Sequence, residues 1–85
     1  MTKPKLVYVQ WVDSCCGSGW QTLERIRAAC TKCITVGFLV HEDDECISVA
    51  TTLGYHEGEP NQTADAITIP RVAIVAWWDL EGAHD

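Results

Sequence analysis

A chain of 85 residues, 47% hydrophobic and 21% charged, has material for one small domain spanning 1–85. At this size only ~60–65% of the unfolded surface is buried, so the core is thin and partnering with further copies is attractive. Six basic residues against twelve acidic ones give a formal charge of −6, the wrong sign for holding a nucleic-acid backbone, where Lys and Arg displace counterions. No stretch approaches the ~20 apolar residues of a membrane helix, and Met1-Thr2-Lys3-Pro4-Lys5 does not lead into the apolar run of a signal peptide. The expectation is an acidic, cytoplasmic, non-membrane module.

Lys5 to Val12 is rich in β-branched and aromatic residues, with Leu6, Tyr8 and Gln10 alternating against Val7, Val9 and Trp11, the pattern of a strand. Asp13 to Gly19 is a breaker-rich loop, and Ser18 with Gln21 has the spacing of a capping box. From Trp20 the apolar residues Leu23, Ile26 and Ala29 or Cys30 recur every three or four positions, which predicts a short amphipathic helix of about three turns. Cys33 to His41 and Cys46 to Leu53 read as strands joined by the acidic turn Glu42-Asp43-Asp44-Glu45. Gly54 to Thr63 reads as a flexible tip, and Ala64 to Ile69 as a fourth strand stopped by Pro70. Arg71 to Ile74 reads as a single turn before a last strand, Val75 to Leu80, and the tail from Glu81 as frayed. Five short strands in about eighty residues manage their edges best by curling into a small barrel. The fold class expected is therefore mainly β, a strongly bent five-stranded antiparallel sheet with one helix between strands 1 and 2, ordered over about 5–80.

Five cysteines, Cys15, Cys16, Cys30, Cys33 and Cys46, make an odd count that argues against a secreted disulfide framework. Cys30-Thr31-Lys32-Cys33 invites a redox or zinc reading, completed by Cys15 and Cys16. A redox pair sits at the start of a helix, which lowers the thiol pKa, whereas this one follows the helical pattern and enters a strand. Packing as small hydrophobes is the preferred reading, with no metal or other cofactor expected.

Two stretches carry a resemblance. Gly37-Phe38-Leu39-Val40-His41-Glu42-Asp43-Asp44-Glu45-Cys46-Ile47 resembles the first signature of the Sm-like family of SH3-like barrels, a Gly-x-Leu pair followed four residues later by Asp, then a hydrophobic residue and an Asn. Ile67 to Val75 is similar to the second, a strand, a tight turn bearing Arg and a final strand. With Trp11-x-Asp13, Gly19-Trp20-x-x-Leu23 and Ile69-Pro70-Arg71, the chain also resembles small uncharacterised proteins encoded by tailed bacteriophages. The Sm-like resemblance implies outer strands that pair between subunits into a ring, and RNA bases gripped by the Asn of the first signature and the Arg-Gly of the second. Here Ile47 stands at the Asn position and Val72 follows Arg71, so RNA binding becomes the alternative reading.

The chemistry-bearing candidates are few. The acidic block beside His41 has oxygen donors suited to a hard cation, but it lacks the spaced pattern of a calcium loop and reads as a solvated hairpin tip. His41, His56 and His84 lie in turns or in the tail, with no nucleophile motif near them, so no enzyme is expected. Trp77-Trp78 in a strand places one ring inward and one outward. Arg71, after Pro70, is the best cation for an anionic ligand. The candidate ligand-binding set is thus Arg71, Trp77, Trp78 and Asp43. The function expected is a non-enzymatic homo-oligomeric binding protein, a phage accessory factor that sequesters or blocks a host molecule, protein or small nucleotide signal, in the host cytoplasm. The alternatives are an Sm-like RNA binder and a zinc or redox protein using Cys30 and Cys33.

Overall fold

The computed structural model describes residues 3–14, 19–25 and 30–81. Five strands, β1 (Leu6–Asp13), β2 (Thr31–Glu42), β3 (Cys46–His56), β4 (Glu59–Pro70) and β5 (Ile74–Asp79), form one sheet in the order β4-β3-β2-β1-β5. Every neighbouring pair is antiparallel. The alternation read in β1 holds: Val7 and Val9 are fully buried, and their neighbours Leu6, Tyr8 and Gln10 take the opposite face. Val7, Val9, Ile47, Val49 and Ile69 make the core, with Trp11, Leu39, Ala73, Ile74 and Trp77 packed around it. Each fully buried Val or Ile contributes roughly 1.5–3 kcal/mol through lost apolar exposure, and so short a list leaves little margin.

The sheet is curled because its two edge strands are tied together. Pro70 ends β4 at φ −61°, and a single 3-10 turn, Arg71–Ala73, leads straight into β5. Three residues span only about 10 Å, so the last residues of one edge and the first of the other are drawn together around the core. No ladder joins β4 to β5 among the described residues. The small barrel expected from the sequence is corrected to a bent, open sheet: the edges meet at one corner only, and β4 then runs away from β5. Where β2 passes under β3 the backbones touch; a Cβ on Gly37 would lie 2.5 Å from the Ala50 carbonyl oxygen and 2.9 Å from Val49 Cγ1.

Beyond Ala50 the β2–β3 ladder ends, while β3 and β4 stay paired to His56↔Glu59. Residues 51–65 therefore form a two-stranded arm, and the described chain measures 58 × 28 × 20 Å with a radius of gyration of 16.8 Å, against about 12 Å for a compact domain of this length. The segment read as a flexible tip is mostly strand. Glu57 and Gly58, at φ 51° and 83°, form the two-residue turn with both central residues left-handed that matches the twist of a hairpin. Exchanging Gly58 for Ala is expected to cost about 1–2 kcal/mol, since a Cβ is disfavoured in that region, whereas Glu57→Asn is expected to stabilise by a few tenths of that. Chemical denaturation of the two variants checks the opposite signs.

The predicted helix is not found among the described residues. Leu23–Arg25 is one 3-10 turn, and Trp20 and Leu23, the first two residues of the apolar stripe, are exposed. A helix this short draws its stability from docking such a stripe, and these two anchors touch no core. Ile26 and Ala29, with the loop residues Cys15, Cys16 and Ser18 and the tail from residue 82, lie outside the described residues. No helix among the described residues is long and apolar enough to cross a membrane.

Candidate functional site

The tight β2–β3 turn and the β4–β5 corner come together, and the turn is built by one side chain. Asp43 Oδ1 accepts hydrogen bonds from the backbone N–H of Glu45 at 2.8 Å and of Cys46 at 2.9 Å. Its other oxygen, Oδ2, lies 2.8 Å from His41 Nε2 and 3.8 Å from Cys46 Sγ. The hydrogen bond with His41, then those from the two backbone groups, hold the Asp43 carboxyl well below the usual carboxylate range. The Cys46 thiol is pushed up instead, first by burial and then by the Asp43 charge beside it. A bulge in the β2–β3 ladder between Leu39 and His41 re-aims the strand end and puts His41 over the turn.

Arg71 staples this turn to the corner. Its backbone N–H donates to the Glu45 carbonyl at 2.8 Å, its Nε to the Asp43 carbonyl at 2.6 Å, and its terminal NH2 to Glu42 Oε2 at 3.3 Å. The guanidinium carbon stands 6.0 Å from the centre of the Trp77 ring, within cation–π reach. Three members of the candidate set, Asp43, Arg71 and Trp77, are thus brought together. The guanidinium faces the Glu42 carboxylate and the Asp43 carbonyl, so its charge is already partnered within the chain. The pocket beside Trp77, lined by Lys5, Leu39, Glu42 and Asp79, holds about 180 Å³, below the ~300 Å³ at which small-molecule sites begin.

Trp78 also borders that pocket, but its ring lies on the other face of the sheet. Trp77 packs on the core, while Trp78, 46% exposed, stacks on Tyr8 with ring centres 4.5 Å apart and planes at 20°. The registers Leu6↔Phe38, Tyr8↔Val36, Gln10↔Ile34 and Tyr8↔Trp78 align this face across three strands. Leu6, Tyr8, Ile34, Val36, Phe38 and Trp78 thereby form one apolar patch over β2, β1 and β5, with Ile34 60% and Val36 47% exposed. Sequence reasoning marked β1 as a strand from its alternation without showing that both of its faces carry apolar residues. The signal was present: Leu6 to Val9 and Phe38 to Val40 are unbroken apolar runs, which mark strands covered on both faces.

It also missed the grouping of His41, Asp43 and Cys46, whose ligand atoms all lie within 4.8 Å of one another. Their spacing of two and three residues across a hairpin turn carries that information, and the acidic block drew attention to oxygen donors alone. Cys30 is exposed and Cys33 half-buried in β2, its thiol directed at the Thr31 carbonyl at 3.6 Å. Among the described residues that pair belongs to no three-donor group. Compared with known proteins, the chain matches no family profile, no curated protein and no solved structure.

Proposed function

We propose that this chain is a non-enzymatic binding module that works as a homo-oligomer, its copies joined through the apolar face and free edges of the sheet. The patch of Leu6, Tyr8, Ile34, Val36, Phe38 and Trp78 carries the reading. It backs a core of few residues, and an apolar patch continuous across three strands marks an association surface on a soluble domain. Among the described residues β4 and β5 are the edge strands of the sheet, the positions at which strands pair between copies. The strand order with its 3-10 corner is compatible with the Sm-like resemblance, and the resemblance to phage proteins makes the role that of an accessory factor sequestering or blocking a host molecule. The pairing of Arg71 with Glu42 and the acidic run of residues 42–45 beside it favour a host protein over an anionic nucleotide or RNA as that molecule. Catalysis is disfavoured because the Asp43 carboxylate lies between the imidazole and the thiol, whereas thiol activation needs the imidazole next to the sulfur.

Sizing with light scattering and native mass spectrometry at micromolar concentration test the assembly. A defined oligomer is expected, with Val36→Lys and Trp78→Lys shifting it to monomer while circular dichroism is kept. A strictly monomeric wild type overturns the reading. In filter binding to oligo-U and oligo-A at low salt no retention is expected, and retention would favour the RNA-binding alternative.

A further inference from the structure

We propose that His41, Asp43 and Cys46 bind a divalent transition metal of the zinc class at the β2–β3 turn. The three offer one imidazole nitrogen, one carboxylate oxygen and one sulfur, mutually within 4.8 Å. Zinc bonds of about 2.0–2.3 Å in a tetrahedron set neighbouring donors roughly 3.3–3.7 Å apart. Cys46 Sγ and Asp43 Oδ2 stand at 3.8 Å, close to that edge, and His41 Nε2 and Asp43 Oδ2 at 2.8 Å. Admitting an ion requires the imidazole and the carboxylate to part by roughly half an ångström, and both side chains are about half exposed, so nothing packed resists the movement. The mixed nitrogen, oxygen and sulfur set selects zinc or cobalt over calcium and magnesium, which want oxygen alone.

The orientation of the carboxylate is already set. Oδ1 is held by two backbone N–H groups, leaving Oδ2 as the ligand, the outer support that metal-binding carboxylates receive from their surroundings. The turn itself is fixed by Asp43 N–H to the Cys46 carbonyl at 3.0 Å and by Arg71 on the Glu45 and Asp43 carbonyls. Among the described residues Arg71 is the opposing charge at this cluster, and it is directed to Glu42 and to the Asp43 carbonyl. The four carboxylates of residues 42–45 outweigh it. Binding releases the Cys46 thiol proton to solvent and leaves a fourth position for water or a donor from a bound partner.

Anaerobic titration of the reduced full chain with Co²⁺ tests this. One equivalent is expected to bind with thiolate-to-metal charge-transfer absorption, and Zn²⁺ to displace it. Cys46→Ser should abolish the band and His41→Ala weaken binding at least tenfold, while the Cys30→Ser, Cys33→Ser double variant binds as wild type. Should the Cys46 variant misfold, thiol alkylation mapped by mass spectrometry on the wild type decides: Zn²⁺ is expected to protect Cys46 and leave Cys30 and Cys33 reactive. Absence of the band in wild type, its survival in Cys46→Ser, or protection of other cysteines in place of Cys46 overturns the assignment.

Discussion

Gly37→Ala is expected to lose about 3 kcal/mol of stability, read as a lowered urea midpoint. The new methyl would sit 2.5 Å from the Ala50 carbonyl oxygen and 2.9 Å from Val49 Cγ1. The first of these atoms is backbone, in a strand held by β2 on one side and β4 on the other, and the second belongs to Val49, packed in the core, so neither can easily give way. Relief comes only by lifting β3 off β2 at the Phe38↔Ala50 pair, the point from which the arm departs. Overpacking of this kind costs about 1–3 kcal/mol and sometimes more, against a total of about 4–13 kcal/mol for a domain this size. Gly54→Ala is the matched control: its methyl would meet Gln62 Cβ at 3.2 Å and no backbone atom nearer than 3.9 Å, and a smaller change is expected. Equal midpoints for the two variants would show that the strand crossing does not depend on a missing side chain.

Ile47→Asn is expected to unfold the chain rather than to confer RNA binding. The Sm-like resemblance asks for Asn at this position, yet Ile47 is fully buried and belongs to the core. The substitution removes apolar packing worth about 2–5 kcal/mol and adds an amide whose burial without partners costs a further ~1–3 kcal/mol. The sum, about 3–8 kcal/mol, is comparable with the lower half of the margin of about 4–13 kcal/mol for a domain this size. Val72→Gly makes the other change toward the family pattern. Val72 is 98% exposed, and an exposed position of this kind is expected to stay within about 1 kcal/mol of wild type. Circular dichroism melts of both variants test the contrast, and a folded Ile47→Asn protein that retains oligo-U would restore the family reading.

Strand positions were legible because the pleat writes its period into Leu6–Trp11 and because Pro70 punctuates the last corner. The hairpin arm was not, since Gly54, Gly58, Pro60 and Asn61 look like a loop by composition. What makes strands of them is the turn geometry at Glu57 and Gly58 together with cross-strand pairing, which no short window contains. The stripe from Trp20 has helical spacing, but spacing specifies a face and not the surface that receives it. At the site, Arg71 stood out as the cation beside a proline. Its actual partners, Glu42 and the Asp43 carbonyl, lie nearly thirty residues away and depend on the curl of the sheet. The opposite faces of Trp77 and Trp78 follow from alternation alone, and the Tyr8 stack from register.

The central place of β1 has a consequence for biosynthesis. Its two flanking strands come from distant parts of the chain, and the pair Val7↔Asp79 joins nearly the first described residues to nearly the last. β1 leaves the ribosome first and β5 last of the five. Throughout synthesis one edge of β1 therefore stays open, with Val9 lacking the Trp77 strand beside it. Such late, long-range pairing is slow to form and exposes apolar surface while it waits. Nascent chains stalled within β5 should accordingly be more protease-sensitive in β1 than completed ones.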